Sequence, residues 1–204
     1  MQGKKARLEE LARRIKACTR CSLYRNRRNA VPGEGNPDAN VMFIGEAPGF
    51  NEDVQGRPFV GAAGKLLTGL IESIGLTRGD VYITNIVKCR PPGNRDPLKE
   101  EVEACKPYLI EQLGIIEPSI IVSLGRHSTR LFFQFANLEF KSIMRVRGSP
   151  RVLVINGVEY TLLPTLHPAA ALYNPGLRSL LERDFMVLAQ LLRKRRGDLT
   201  DWLS

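Results

Sequence analysis

The sequence predicts an α/β fold with a mainly parallel sheet, and three observations predict it. Short apolar runs at 41–45, 81–87 and 120–124 alternate with stretches of helical periodicity. The runs are too apolar for a sheet with one wet face and match strands covered on both sides. The chain has 204 residues, 43 % apolar and 25 % charged. That is enough to bury a sizeable core without staples, so residues 1–204 are read as one domain.

The elements follow in order. Leu8, Leu11, Ala12 and Ile15 share one face of a helix over 5–17 that runs into Cys18-Thr19-Arg20-Cys21. Residues 32–40 are turn-rich, Val41 to Gly45 a buried strand, and 45–61 a long Gly- and Pro-rich loop. Leu66, Leu67, Leu70, Ile71 and Ile74 mark a helix over 65–74, closed by Gly75. Val81 to Val87, rich in β-branched residues, is a second strand. Asp96-Pro97 reads as N-cap and first position of the next helix, with apolar positions Leu98, Val102, Cys105, Leu109 and Leu113. Ile120 to Leu124 is a third strand and 126–136 a helix. Residues 151–165 form a hairpin turning at Asn156-Gly157. The loop His167 to Gly176 precedes a last helix at about 177–195. In parallel sheets ligands bind beyond the carboxyl ends of the strands. Loops 45–61, 88–96 and 166–176 sit there.

The formal charge is +9, which suggests a polyanionic partner. Residues 1–28 carry ten basic and two acidic groups, and the remaining residues 20 and 19. Most of the excess is therefore N-terminal, with smaller basic clusters at Lys141 to Arg151 and Arg193-Lys194-Arg195-Arg196. No apolar run reaches the ~20 residues of a membrane span, and the N-terminus has no apolar segment of a signal peptide. A cytoplasmic monomer is expected, with a terminal segment as the place for any replication or repair partner. In the cytoplasm four cysteines read better as metal or cluster ligands than as disulfides.

Gly64-Lys65 resembles the end of a phosphate loop, but Phe59 and Leu66 stand where that motif needs Gly and Ser or Thr. No G-x-G-x-x-G follows the first strand, and neither a serine elbow nor H-E-x-x-H is present. The cysteines are spaced C-x2-C, then 67 residues, then C-x15-C. Structural zinc usually takes two close pairs. Four thiolates at irregular spacing suit an iron–sulfur cluster about equally well, and unligated thiols remain a third reading.

Three loop motifs can be read together with these cysteines. They are Gly45-Glu46-Ala47-Pro48-Gly49-Phe50-Asn51-Glu52-Asp53 with Gly56-Arg57-Pro58-Phe59; Asn85 to Arg95, which contains Lys88-Cys89-Arg90-Pro91-Pro92-Gly93-Asn94; and His167-Pro168-Ala169. The combination closely resembles the family 4 uracil-DNA glycosylases, the iron–sulfur branch of bacteria and archaea, over about residues 8 to 195. The resemblance implies a three-layer αβα sandwich with a four-stranded mainly parallel sheet. It implies hydrolysis of the bond between deoxyribose and uracil in DNA, which starts base-excision repair. It also implies that Cys18, Cys21, Cys89 and Cys105 ligate a [4Fe-4S] cluster.

The residues make chemical sense of that resemblance. Uracil must be flipped from the stack before its glycosidic bond can be reached. Phe59 matches the aromatic that stacks on the base, although alone it would read as a core residue. Asn85 offers one donor and one acceptor to the edge of uracil, although alone it would read as a turn residue. His167 matches the histidine that donates to uracil O2 as charge builds there. His127 matches no motif and is expected to be structural. Ala47 stands where better-known relatives carry an Asp that positions water, so Glu46 or Asn94, helped by backbone at 46–49 including Gly49, is the expected water-positioning group. Glu52 resembles the residue that crowds C5 and excludes thymine.

No lysine in these motifs suggests a Schiff base, so a monofunctional enzyme is expected. DNA contacts are expected from Arg57, Lys88, Arg90, Arg95 and Arg178, with Leu172 or Tyr173 plugging the vacated stack. The N-terminal charge would partly compensate the thiolates. The competing reading is a metal-binding nucleic-acid module without catalysis, which gives no reason for Asn85 and His167 at strand ends.

Overall fold

A computed structural model describes residues 3–200, with side chains described to residue 194. Its strands are β1 (Glu34–Gly35), β2 (Val41–Gly45), β3 (Tyr82–Asn85), β4 (Ile120–Leu124), β5 (Arg151–Ile155) and β6 (Val158–Thr165). They form one sheet in the order β1-β3-β2-β4-β6-β5. The helices are α1 (Lys4–Lys16), α2 (Phe50–Gln55), α3 (Ala62–Ser73), α4 (Lys99–Ile116), α5 (Arg126–Phe135), α6 (Ile143–Val146), α7 (Pro168–Tyr173) and α8 (Arg178–Thr200).

The four central strands, β3, β2, β4 and β6, are parallel. The expected count of four describes this centre; the sheet itself has six strands. Antiparallel edges complete it, β1 beside β3 and β5 beside β6. The two-residue β1 is too short to leave a periodic signal. The hairpin turns at Asn156-Gly157, as expected, and both residues have positive φ, which a tight hairpin turn demands.

Side-chain alternation along β2 builds the layers. Val41 and Phe43 face one side, with Leu67, Ile71, Leu181 and Phe185. Met42 and Ile44 face the other, with Leu11, Ile15, Leu109, Leu113 and Phe132. A sheet covered on both faces by helices is a three-layer αβα arrangement. No described helix is long and apolar enough to cross a membrane.

Two local expectations are corrected. Loops 45–61 and 166–176 contain the short helices α2 and α7. Asp96-Pro97 does not open α4, which starts at Lys99; the Glu101 carboxylate instead accepts the Leu98 N–H at 2.8 Å. Asp96 is turned away toward Arg126, whose Nη2 donates to its Oδ2 at 2.7 Å. Arg195 and Arg196 of the C-terminal basic cluster lie outside the described side chains.

The chain leaves β2 toward β3 on one side and returns to β4 on the other. A crevice therefore opens at the carboxyl end of β2, the switch point where open α/β sheets bind ligands. Glu46 follows β2, Asn85 ends β3, Gly125 follows β4, and His167 lies two residues beyond β6.

Candidate active site

A pocket with about 300 Å³ of water-accessible space occupies that crevice. Its walls include Glu46, Ala47, Gly49, Glu52, Phe59, Asn85, Asn94 and His167. These eight are the catalytic and base-binding residues expected from the sequence. They come from four separate segments, and the parallel sheet brings them together.

Asn85 is pinned by the sheet, in register with Gly45. Its side chain is buried, and its Oδ1 accepts no hydrogen bond. An unpaired buried acceptor costs roughly 1–3 kcal/mol, so an orphan atom in a pocket wall points to a ligand that donates to it. Phe59 lies beside it with φ 51°, a left-handed conformation that disfavours a side chain by roughly 1–2 kcal/mol. The strain is held by packing: a Cβ on Gly45 would lie 2.6 Å from Phe59 Cζ and would also strike Asn85 Oδ1. Only glycine lets both side chains close over the end of β2.

His167 caps α7 and stacks on Phe59, with ring centroids 5.6 Å apart. Its Nδ1 accepts the Ala169 N–H at 3.2 Å. That bond assigns the ring proton to Nε2 and leaves it as the donor nitrogen. Burial pushes the imidazole down to about 4, so the ring is neutral at pH 7. Gly125, with φ 87°, lets the backbone pass 2.9 Å from His167 Cβ at the position a Cβ would take.

Glu46 is half-buried. Desolvation, and then the charge of Asp96, push its carboxyl up to about 7, with Arg126 opposing. Glu52 is fixed differently. Its two oxygens accept the N–H groups of Gly49, Val60 and Gly61 at 3.2, 2.8 and 2.9 Å. The carboxylate braces the loop and forms a rigid wall. Asn94, with φ 55°, is exposed, and its Oδ1 accepts from Arg90 Nε at 2.7 Å.

The Nε2 of His127 lies 3.1 Å from Asp96 Oδ2 and 3.8 Å from Glu46 Oε2. The residue expected to be structural stands directly behind the titratable group of the pocket. No local motif carries this, because the three residues follow β2, β3 and β4 and meet only through strand order.

The four cysteines gather at a second site. Cys18, Cys21, Cys89 and Cys105 line one cavity with Tyr24, Arg27 and Tyr108. None is in a disulfide. Three N–H groups point at sulfur: Arg20 N to Cys18 at 3.5 Å, Arg27 Nη1 to Cys89 at 3.0 Å, and Lys88 N to Cys105 at 3.3 Å. Donors of this kind stabilise thiolate ligands. Burial pushes the free Cys105 thiol up to about 11, so without a metal its protonated form is favoured.

Comparison with known proteins agrees with this geometry. The family model described as the uracil DNA glycosylase superfamily matches residues 32–189. A type-4 uracil-DNA glycosylase of Saccharolobus solfataricus is 52% identical over 96% of this chain and 91% of its own length. One of Sulfurisphaera tokodaii is 56% identical over 90% of this chain and 84% of its own. One of Archaeoglobus fulgidus is 48% identical over 96% and 98%. The chain belongs to the type-4 uracil-DNA glycosylases.

The expected DNA contacts of this glycosylase fare unevenly. Lys88 is corrected: only 1% of it is exposed, and its Nζ donates to Thr84 Oγ1, Asn85 O and Gln112 Oε1, each at 2.7 Å. Lys88 follows β3 by three residues, and its ammonium turns inward onto those three oxygens. Arg95 lines the pocket, but its guanidinium is forked onto buried Glu101 at 2.7 and 2.8 Å. Arg57 is paired with Glu34 and Arg178 with Glu182. Arg90 lies over the exposed ring of Phe50, 5.1 Å from its centroid. Leu172 and Tyr173 project from α7, and Tyr173 is 91% exposed.

Proposed function

We propose that the chain hydrolyses the N-glycosidic bond of deoxyuridine in DNA, releasing uracil and leaving an abasic site. The observation that carries this is the orphan Oδ1 of Asn85 in the pocket wall. Uracil N3–H is the donor that atom lacks, and the Asn85 Nδ2 in turn donates to O4. Cytosine offers an acceptor and an amino group at these positions, so it leaves both ends of the amide mispaired. Phe59 stacks on the flipped base.

Bond cleavage places negative charge on uracil, delocalised onto O2. The neutral His167 donates through Nε2 to that oxygen, a contribution typically worth ~2.7–4 kcal/mol. The C1′–N1 electron pair leaves with uracil. Water then bonds to C1′ and gives its proton to the Glu46 carboxylate, whose raised proton affinity suits a base near pH 7. Glu46 is favoured over Asn94 because Asn94 is exposed and tied to Arg90. The proton balance closes when the uracil anion takes a proton from solvent. Ala47 and Gly49 supply backbone and space, and Glu52 walls the side where a thymine methyl would sit. No Schiff base enters the scheme: buried Lys88 already donates to three oxygens.

Cys18, Cys21, Cys89 and Cys105 would hold a [4Fe-4S] cluster. Bound there, it supplies a structural cross-link between the end of α1, the segment after β3 and α4. Glu101 extends that brace, accepting from Ser22 beside Cys21 and from Arg95 in the pocket. DNA is read from the pocket rim by Arg90 and α7, whose Leu172 or Tyr173 plugs the vacated stack. A cytoplasmic monomer is the proposed working unit.

Incubation with a uracil-containing oligonucleotide, followed by alkali, tests the activity. A strand break at uracil and none at cytosine is expected. An intact strand at uracil would leave the non-catalytic nucleic-acid module as the reading.

A further inference from the structure

Glu46, Asp96 and His127 meet behind the pocket, their nearest ligand atoms all within 4.8 Å of one another. We propose that His127, backed by Asp96, is a positioning residue that sets the protonation of Glu46 and carries its proton from the pocket to solvent. This rests on Glu46 as the acceptor of the water proton.

The geometry at His127 Nε2 carries the proposal. Arg126 Nε donates toward it at 2.9 Å, and Asp96 Oδ2 stands 3.1 Å away. A ring nitrogen has either a lone pair or a hydrogen. Bare, Nε2 accepts from Arg126; protonated, it donates to Asp96. Each state thus has its own partner, Arg126 for the bare nitrogen and Asp96 for the protonated one, and Arg126 Nε must turn aside when Nε2 takes a proton.

The third neighbour of Nε2 is Glu46 Oε2, at 3.8 Å. That is beyond a direct hydrogen bond, and rotation about the last torsions of Glu46, which are broad, can close it. The proton route then balances. The O–H bond of protonated Glu46 breaks as an N–H bond forms at Nε2; that N–H bond breaks in turn as Asp96 Oδ2 takes the proton, and solvent water removes it from Asp96. Asp96 is exposed, whereas Glu46 and His127 are partly buried, so the order runs from pocket to water. Arg126 holds Asp96 in place through Nη2.

The charges around the triad agree. Glu46 faces Asp96 and Arg126; His127 faces Asp96, Arg126 and Arg130. Desolvation lowers the affinity of His127 for a proton most; Asp96 opposes it next, and Arg126 and then Arg130 add to the lowering. The ring therefore releases what it receives.

The test measures single-turnover excision between pH 5 and 9 for the full chain and for Glu46→Gln, His127→Gln, His127→Ala and Asp96→Asn. The intact enzyme is expected to show an acid limb near pH 7. Asp96→Asn removes a like charge from Glu46, so its limb should move to lower pH. His127→Gln should lower the plateau about tenfold or more, at the low end of general acid–base effects. Added imidazole should restore part of the rate of His127→Ala, with base affinity unchanged.

If Glu46→Gln excises at the full rate, the role of Glu46 fails and this inference with it. Suppose Glu46→Gln is slow, yet the His127 and Asp96 variants keep both rate and limb: then this inference alone is overturned. A slow His127→Ala without imidazole rescue and without a moved limb would overturn it too, as would EDTA-sensitive activity restored by Mg²⁺, which would make the three groups cation ligands.

Discussion

The buried ammonium of Lys88 donates to the backbone carbonyl of Asn85 at 2.7 Å. The Lys88 backbone N–H points in turn at the Cys105 sulfur. One residue therefore spans the cysteine site and the residue proposed to read uracil.

Lys88→Met should cost stability and leave DNA contact unaltered. It would strand the Asn85 carbonyl and Gln112 Oε1, at roughly 1–3 kcal/mol. For a domain of this size that is a melting point several degrees lower, at about 2–4 °C per kcal/mol. In salt titrations of DNA binding its log K slope should match the intact protein, whereas Arg90→Ala should lose about one unit. A lost unit for Lys88→Met would return that lysine to the surface.

Asn85→Ala should reduce single-turnover excision of uracil by roughly ten- to a hundredfold, the value of the polar pairs removed. Little change in folding stability is expected, because Oδ1 has no partner in the protein to lose. A large drop in stability with unaltered excision would make Asn85 a structural residue.

Gly45→Ala should impair the pocket by crowding both Phe59 and Asn85 Oδ1. Its methyl would fall 2.6 Å from Phe59 Cζ, and overpacking of this kind typically costs ~1–3 kcal/mol. Because Phe59 must move, uracil affinity should fall together with stability. Competition by free uracil, compared with the intact enzyme, reads this directly.

Glu46 and His167 should give opposite pH dependences of stability. Glu46 is raised to about 7 in the fold, so its folded state holds the proton more tightly, and its contribution is lost as pH rises from about 4.5 to 7. His167 is lowered from 6.5 to about 4. Its contribution is complete above about 6.5 and is lost as pH falls toward 4. Denaturant titrations should therefore show Glu46→Gln gaining stability relative to the intact protein mainly above pH 7. His167→Gln should differ least at acid pH. The neutral ring also predicts no kinetic limb from His167 above pH 5.

Removal of the proposed cluster should loosen residues 89–105, which lie between two of its proposed ligands, and weaken DNA binding. Cys105→Ala is expected to lose iron and broad visible absorption together. Hydrogen exchange should then quicken in 89–105 while β2 and β4 stay protected. Unchanged exchange in that segment would confine the cysteines to a role apart from the pocket.

The sequence by itself determined the layers and the parts list. Apolar runs and helical periods placed β2, β3, β4 and most helices, since those patterns are local. Gly45-Glu46-Ala47-Pro48-Gly49, Asn85 and His167-Pro168-Ala169 marked the strand ends, while the cysteine spacing left zinc, an iron–sulfur cluster and unligated thiols open, and the family resemblance chose among them. Hydrophobic patterning does not encode which side chain faces inward past a strand end, so Lys88 read as a surface cation. Nor does it encode meetings between segments far apart in sequence. The strained φ of Phe59, the orphan oxygen of Asn85 and the approach of Glu46, Asp96 and His127 exist only because parallel strands in the order β3-β2-β4-β6 bring four loops to one edge. Tertiary structure decided those contacts, since each depends on burial and distance set by the whole sheet.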